Sequence, residues 1–158
     1  MGNLEFKIIS YNSEEYYDIK MKLHNWDNKH TYFHTECEDD FELETLLSKH
    51  KYSVALYECN NIVGYGEIAN YYSSISAKSN ILTPNLKISC IINPRYRKKG
   101  YGKILLEYLI IFCKRKYDNC ILEAEILKKN KACLKLINDN EFKLVQSKKK
   151  SLVFKKKL

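Results

Sequence analysis

The sequence predicts a mixed α/β (α+β) fold: one mostly antiparallel sheet with helices on both faces, in the order β-α-α-β-β-β-α-β-α-β-β. Short runs of β-branched and aromatic residues are interspersed with amphipathic segments of helical period, which indicates both kinds of element. An asparagine pair between two of the predicted strands is typical of a tight hairpin, which requires antiparallel pairing. With 158 residues the chain suits one core, so we predict a single domain over residues 1–158.

The N-terminal part is predicted to contain one strand and two helices. Residues 4–11 alternate loosely between apolar and polar and predict the first strand. Ser13 is a suitable N-cap for a helix that continues to Trp26, because two glutamates follow it near the positive end of the helix dipole. A polar stretch comes next, and a second, shorter helix is predicted at about residues 40–50.

Two strands are then predicted over residues 52–59 and 62–69. Asn60 and Asn61 separate them, and asparagine tolerates the positive φ that a two-residue hairpin turn needs. A long polar connection follows, over residues 70–85. The segment therefore predicts an antiparallel pair that leads to the centre of the chain.

The central stretch, residues 88–116, is predicted to be a strand, a turn and a helix. The strand at residues 86–92 ends at Asn93-Pro94, because proline cannot donate to the ladder and restricts the residue before it. Apolar residues then recur with the period of a core-facing helix. They are Tyr101, Ile104, Leu105, Tyr108, Leu109 and Phe112.

The C-terminal part is predicted to contain a strand at residues 120–127 and a helix from Asn130 to about Asn140. Two short strands, near residues 143–147 and 152–156, complete the chain. The sequence shows no internal repeat and no linker, which agrees with a single domain.

The turn between the central strand and helix is a predicted anion site. A strand, a glycine-containing turn and a helix in succession direct unpaired backbone N–H groups and the positive end of the helix dipole at one spot. Lys98, Lys99 and Lys103 add formal charge. A Walker loop is excluded because its first glycine and its hydroxyl are missing, and a dinucleotide fingerprint because Leu105 replaces its third glycine. What remains is R-x-x-G-x-G over residues 97–102, which we call the glycine turn.

The glycine turn resembles the coenzyme A pyrophosphate loop of the GNAT superfamily of N-acetyltransferases, and the predicted element order is that of the GNAT fold. A second segment is similar to the family's N-x-x-A-x-x-x-Y-x-x-x-G-F, with Asn130 and Phe142 in register. Three residues depart from that pattern: Cys133, Ile137 and Glu141 replace its alanine, tyrosine and glycine. We expect Asn140 to take the left-handed conformation that the glycine usually supplies.

The resemblance implies transfer of an acetyl group from acetyl-CoA to a primary amine. The strand before the glycine turn would pair with the pantetheine arm, and the strands on either side of the central helix would splay apart to admit it. No metal is implied. The residues that the resemblance assigns to the cofactor are Cys90, Ile91, Ile92, Arg97, Lys98, Lys99, Gly100, Tyr101, Gly102, Lys103, Asn130 and Cys133.

A general base would help, because an alkylamine is mostly protonated near neutral pH. Some members of the family carry a catalytic glutamate at the position of Glu125, and Glu67 is the second candidate. Glu123 is predicted to lie on the same strand face as Glu125, about 7 Å away, and at that distance we expect two carboxylates to raise each other's pKa. An exposed strand face explains the pair equally well. The family's usual general acid, a tyrosine, is replaced by Ile137, so the acid is not identified.

The charge distribution bears on the acceptor. The net charge of +8 raises nucleic acid as a partner, but coenzyme A explains the first basic cluster, and only Phe154 is interleaved with the lysines of the tail. Nucleic acid therefore ranks last. Residues 36–44 carry six carboxylates, which would attract a cationic amine entering beside residues 24–44. Such an acceptor would be a small amine, a polyamine, an aminoglycoside, or the N-terminus or a lysine of a peptide. A solvated helix start explains the acidic stretch at least as well.

Cysteine usage and hydropathy bear on the location. Six cysteines without C-x-x-C spacing suit buried thiols in a reducing cytoplasm. His30, His34 and Cys37 lack an evident fourth metal ligand, so we expect no metal site. No leader-like or membrane-spanning apolar run is present, which predicts a cytoplasmic protein without a membrane partner. A homodimer is compatible with the sequence, and a non-catalytic domain that binds acyl-CoA as a sensor or scaffold remains the alternative function.

Overall fold

The computed structural model describes residues 2–10, 13–26, 51–71 and 83–158. The helix predicted at residues 40–50 lies outside these ranges, as do the acidic stretch at 36–44 and the cluster of His30, His34 and Cys37. The described order of elements matches the predicted order. The elements are β1 (Leu4–Ile9), α1 (Glu14–His24), β2 (Lys51–Glu58), β3 (Asn61–Tyr71), β4 (Asn85–Ile92), a 3₁₀ turn (Pro94–Tyr96), α2 (Tyr101–Lys116), β5 (Ile121–Leu127), α3 (Lys131–Asp139), β6 (Lys143–Ser147) and β7 (Ser151–Lys157).

The strands of the described part form one seven-stranded sheet in the order β1-β2-β3-β4-β5-β7-β6. Every neighbouring pair is antiparallel except β4 and β5, which are parallel because α2 carries the chain back across the sheet between them. The mixed, mostly antiparallel sheet that the sequence predicts is therefore confirmed.

Helix α1 covers one face of the sheet. The Ser13 hydroxyl accepts a hydrogen bond from the Tyr16 backbone N–H at 3.1 Å, so the predicted N-cap is confirmed. The buried side of the helix packs against strands β2, β3 and β4. This first cluster contains Ile9, Tyr16, Ile19, Trp26, Ala55, Ile62, Tyr65 and Ile91.

Helix α2 packs on the opposite face, close to β3. A Cβ atom added to Gly64 would lie 3.3 Å from Leu105 Cδ2, and one added to Gly66 would lie 2.9 Å from Leu109 Cδ1. The two glycines therefore allow the helix to approach the strand. The buried side of α2 is wider than the predicted stripe, because Leu106, Ile110 and Cys113 are also buried. The main core thus lies between the sheet and α2.

Two turns differ from the sequence-based prediction by one residue. The hairpin turn consists of Cys59 (φ 49°) and Asn60 (φ 67°), because Asn61 already pairs with Glu58 as the first residue of β3. After α3, Glu141 takes the left-handed conformation with φ 64°, whereas Asn140 stays at φ −96°. The Asn140 N–H still bonds the helix carbonyls, so the chain reverses one residue later, at the position of the family's glycine.

Candidate active site

Strands β4 and β5 separate to leave an opening in the sheet. Their parallel pairing covers only Asn85–Lys87 against Ile121–Glu123, although β4 continues to Ile92 and β5 to Leu127. Beyond the paired part the two facing edges, residues 88–92 and 124–127, do not bond to each other. Backbone groups on such edges need partners, so the opening suits a ligand that hydrogen-bonds along a strand. This agrees with the splayed strands that the resemblance implies.

The glycine turn lies at the wide end of the opening and precedes α2. Gly100 has φ 88°, which favours glycine, and an added Cβ there would meet no atom within 4 Å. Gly100 offers no side-chain cap, and the first bond of the helix runs from the Ile104 N–H to the Gly100 carbonyl at 3.3 Å. The N–H groups of the first turn, residues 101–103, therefore have no helical acceptor, and they follow directly on the open space at Gly100. Together with the exposed Lys98 and Lys99 they suit an anion.

The turn is braced against the sheet at its start. The Arg97 Nε–H donates to the Ile92 carbonyl at 3.2 Å, at the end of β4. Asn93 donates its backbone N–H to the Val63 carbonyl at 2.9 Å and its side-chain amide to the Ile62 carbonyl at 3.1 Å. Arg97 thus has a structural role in addition to the charge that the sequence assigns to it.

Tyr101, between the two glycines, fixes the first turn of α2 to the β2–β3 hairpin. Its side chain is buried, and its ring makes an edge contact with Tyr96. A hydrogen bond with the Glu58 carboxylate raises the pKa of Tyr101 to about 12. The same bond, together with the Gly2 N–H at 2.9 Å, lowers the pKa of Glu58. The cofactor role that the resemblance assigns to Tyr101 concerns its backbone and stays a prediction, while its side chain holds the helix to the hairpin.

Asn130 and Cys133 lie at the start of α3, next to the opening. The Asn130 Oδ1 caps the helix by accepting the Cys133 N–H at 3.1 Å, and Asn130 is only 5% exposed. Its Nδ2 has no hydrogen-bond acceptor among the residues that the structure describes. A buried amide donor without a partner costs free energy, which a ligand oxygen would relieve.

The two thiols near this site are held in the protonated form. Burial raises the pKa of the Cys133 thiol to about 12 and that of the Cys90 thiol well above its usual value. A protonated thiol is a poor nucleophile. The cysteines therefore do not favour a covalent acyl-cysteine intermediate.

The predicted carboxylates of β5 are each beside lysines. Glu125 is 2% exposed, and its Oε1 accepts a hydrogen bond from the Lys148 ammonium at 2.5 Å. Glu123 lies 3.8 Å from both Lys87 and Lys155. The two carboxylates share a strand face as the sequence predicts, but each has basic neighbours from other strands or from the β6–β7 connection. Sequence reasoning missed these lysines because they are remote along the chain.

Glu67, the second candidate base, lies on β3 on the same face of the sheet as α1. Its Oε1 accepts a hydrogen bond from the Tyr65 hydroxyl at 2.6 Å and lies 2.6 Å from the Lys20 ammonium. The Tyr65 hydroxyl is also 2.9 Å from Ser53 Oγ. The Glu67 carboxylate therefore belongs to a partly buried network that links α1 to the sheet.

Ile137 occupies the place of the family's tyrosine and is completely buried. It belongs to the main core, on the inward side of α3 that also carries Asn130 and Cys133. An apolar side chain without solvent contact cannot supply a proton. The described part of the chain contains no cluster of metal-ligating side chains, and no described helix has the length and hydropathy to span a membrane.

Comparison with known proteins identifies the architecture. A model of the acetyltransferase (GNAT) family matches residues 13–141. No curated protein matches the chain by sequence. Among solved structures, an N-acetyltransferase from Staphylococcus aureus Mu50 superimposes with a TM-score of 0.69 at 18% identity over 98% of each chain.

Two further solved structures share the fold. The N-acetyltransferase PseH from Campylobacter jejuni, in complex with acetyl coenzyme A, has a TM-score of 0.64 at 19% identity over 98% of this chain and 99% of that one. The ribosomal-protein-S18-alanine N-acetyltransferase from Escherichia coli has a TM-score of 0.63 at 12% identity over 97% and 94%. At these identities the similarity establishes the fold.

Proposed function

The chain belongs to the GNAT acetyltransferase family, and from that premise we propose that it transfers the acetyl group of acetyl-CoA directly to a primary amine, with Glu125 as general base. The observation that carries the assignment of the base is the position of Glu125. It is a buried carboxylate on β5, where that strand separates from β4 beside the opening.

Acetyl-CoA is the cosubstrate, and the residues present fit it. The unpaired N–H groups at the start of α2 suit its pyrophosphate, the open edge of β4 at residues 90–92 suits its pantetheine arm, and the unpartnered Nδ2 of Asn130 suits one of its oxygens. When bound, it supplies a thioester whose acetyl carbon is open to attack. The glycine turn then orients it through the backbone, with little dependence on side chains.

Glu125 would remove the proton that the amine must lose. An amine is mostly protonated near neutral pH, and forming the amide C–N bond as the thioester C–S bond breaks releases that proton. The Glu125 carboxylate, whose Oε1 accepts a hydrogen bond from Lys148, would accept the proton directly or through a water. Protonated Cys90 and Cys133 support direct transfer over a cysteine relay.

The leaving thiolate would take its proton from solvent or from another group, because Ile137 offers none.

A cationic acceptor stays a prediction from the acidic stretch at residues 36–44, which lies outside the described residues. The described cysteines are free thiols, which supports the predicted cytoplasmic location.

An amine panel with acetyl-CoA tests the proposal by release of free thiol. We expect turnover of at least one primary amine, and coenzyme A should raise the melting temperature as RT ln(1 + [L]/Kd) requires, more than equal NAD or ATP. If coenzyme A binds and no amine is acetylated, the acyl-CoA sensor or scaffold becomes the better account. If coenzyme A does not bind, both proposals fail.

A further inference from the structure

The face of the sheet that carries Glu125 continues into strands that are rich in lysine. Directly opposed residues of neighbouring strands share a face. Register therefore aligns Lys87 of β4, Glu123 of β5, Lys155 of β7 and Lys143 of β6 in one row across the sheet. Glu123, the β5 member of this row, is two residues before Glu125 and on the same strand face. The row therefore lies on the same face of the sheet as α1.

The row opens at its outer end into a groove of about 540 Å³, which we call the lysine groove. Its volume is in the range of small-molecule sites. It lies against the last two strands and the end of α3. The lining residues are Glu141, Phe142, Lys143, Lys155, Lys156 and Lys157.

Positive charge exceeds negative charge in the lysine groove and along the row. Lys156 is held by the Asn140 carbonyl at 2.7 Å and by Glu141 at 3.7 Å. Lys155 shares Glu123 with Lys87. Within the described residues, neither Lys143 nor Lys157 has an ion-pair partner. Ammonium groups brought together without counter-charges repel each other, and a bound anion would relieve that repulsion.

We propose that the acceptor carries an anionic group, a phosphate or a carboxylate, which Lys143, Lys155 and Lys157 bind while its amine reaches Glu125. This inference rests on the proposed function, because it assumes that the amine is placed beside Glu125. The spacing follows from the strands: Val153 is opposite Glu125, so Lys155 and Lys157 lie about 7 and about 14 Å along β7 from that point. An acceptor whose ammonium and anionic groups are this far apart would reach Glu125 and the lysines at the same time.

The anionic group is compatible with the predicted attraction of a cationic amine. The reacting end of the acceptor is an ammonium in solution, which the acidic stretch at residues 36–44 suits, and the other end is an anion. A diamine or polyamine would instead bring a second cation to the lysine groove. The two acceptor classes therefore differ in the charge of the end that is remote from the reacting amine.

Three amines of equal chain length test the proposal: 6-aminohexyl phosphate, 6-aminohexanol and 1,6-diaminohexane. Binding is measured by calorimetry with coenzyme A at saturation, so that the glycine turn is already occupied. We expect the phosphate to bind at least about tenfold more tightly than the diamine, with the alcohol between them and the difference reduced at high salt. The carboxylate 7-aminoheptanoate, compared with the phosphate, shows which anion the lysine groove prefers.

A pair of double variants provides the matched control. Lys143→Gln with Lys157→Gln should abolish the preference for the phosphate. Lys114→Gln with Lys135→Gln removes the same charge from exposed helix positions and should leave the preference intact. Equal affinity for the three amines, a preference for the diamine, or an unchanged preference in the groove variant would overturn the proposal.

The outcomes also separate this inference from the proposed function. Thiol release from amines without any preference for an anion would leave acetyl transfer intact and refute the anionic acceptor. A preference for the phosphate in binding without turnover of any amine would support the lysine groove and count against acetyl transfer by this chain.

Discussion

The cofactor side and the acceptor side of the proposed site use different groups, backbone N–H groups on the first and side-chain carboxylates on the second. In the proposed site the glycine turn would bind the cofactor through backbone N–H groups, held in place by Gly100 and by the Arg97 and Tyr101 braces. The proposed acceptor side would depend on a side-chain carboxylate, Glu125 or the second candidate Glu67, each of which is in contact with a lysine from elsewhere in the chain. The cofactor side needs a certain backbone conformation, whereas the acceptor side needs a carboxylate with its neighbouring lysine in place.

This difference predicts opposite responses to mutation. On the cofactor side, a change that alters the backbone or fills the space before it should affect binding, and a change of lysine identity should matter little. On the acceptor side, an isosteric change of one carboxylate should affect the reaction without altering cofactor binding. The largest effects are therefore expected at the glycines.

Gly100→Val should weaken coenzyme A binding by at least about 100-fold. Valine strains the backbone at φ 88°, at a cost of about 1–2 kcal/mol, and its side chain enters the space before the unpaired N–H groups. Isothermal titration measures the binding, with the melting temperature of the free protein as the test of folding.

Gly102→Ala is the control that separates fold from binding. A Cβ there would lie 3.6 Å from Leu136 Cδ2 and 3.9 Å from Ile92 Cγ1, which are ordinary contacts, and alanine favours a helix. The free protein should be at least as stable as wild type, while coenzyme A binds about tenfold more weakly because the ligand approaches this backbone closely. Wild-type affinity in both glycine variants would show that the turn does not hold the cofactor.

Lys148→Met should lower the free energy of unfolding by about 2 kcal/mol, because it leaves the buried Glu125 carboxylate without that counter-charge. Adding Glu125→Gln should recover part of the loss, since the amide is neutral, and urea unfolding of the full mutant cycle measures the coupling. Lys149→Met, exposed in the same connection, should change stability by less than about 0.5 kcal/mol. Equal losses of unfolding free energy for the two variants would mean that the Lys148–Glu125 ion pair does not stabilise the fold.

The same difference explains why the cofactor side could be predicted from the sequence more fully than the acceptor side. The glycine turn is contiguous, so its glycines, its charge and the strand and helix around it can be recognised in one stretch. The cap at Ser13 is equally local, and the structure confirms it. Periodicity and turn signals predicted the described strands and helices, and most of them bury a patterned face. Strand β6 buries none, since all five of its residues are exposed.

The features that the sequence did not reveal depend on tertiary register. Lys148 meets Glu125, and Lys20 meets Glu67, only because strands or a helix distant in sequence are placed side by side. The one-residue shifts at Cys59 and Glu141 arise because strand pairing and the last helix bonds decide where the chain reverses. Local propensity alone favours asparagine at such positions, and here the tertiary contacts prevail over it.

The activity of Glu125→Gln across pH tests the central claim most directly. With an accepted amine and saturating acetyl-CoA, we expect kcat/KM to fall by about 100-fold near neutral pH, and the defect to shrink as the amine loses its proton unaided. Coenzyme A affinity should stay at the wild-type value, and Glu67→Gln should cause a much smaller loss. Unchanged kcat/KM in Glu125→Gln at every pH would contradict the account, and a large loss in Glu67→Gln instead would assign the proton transfer to Glu67.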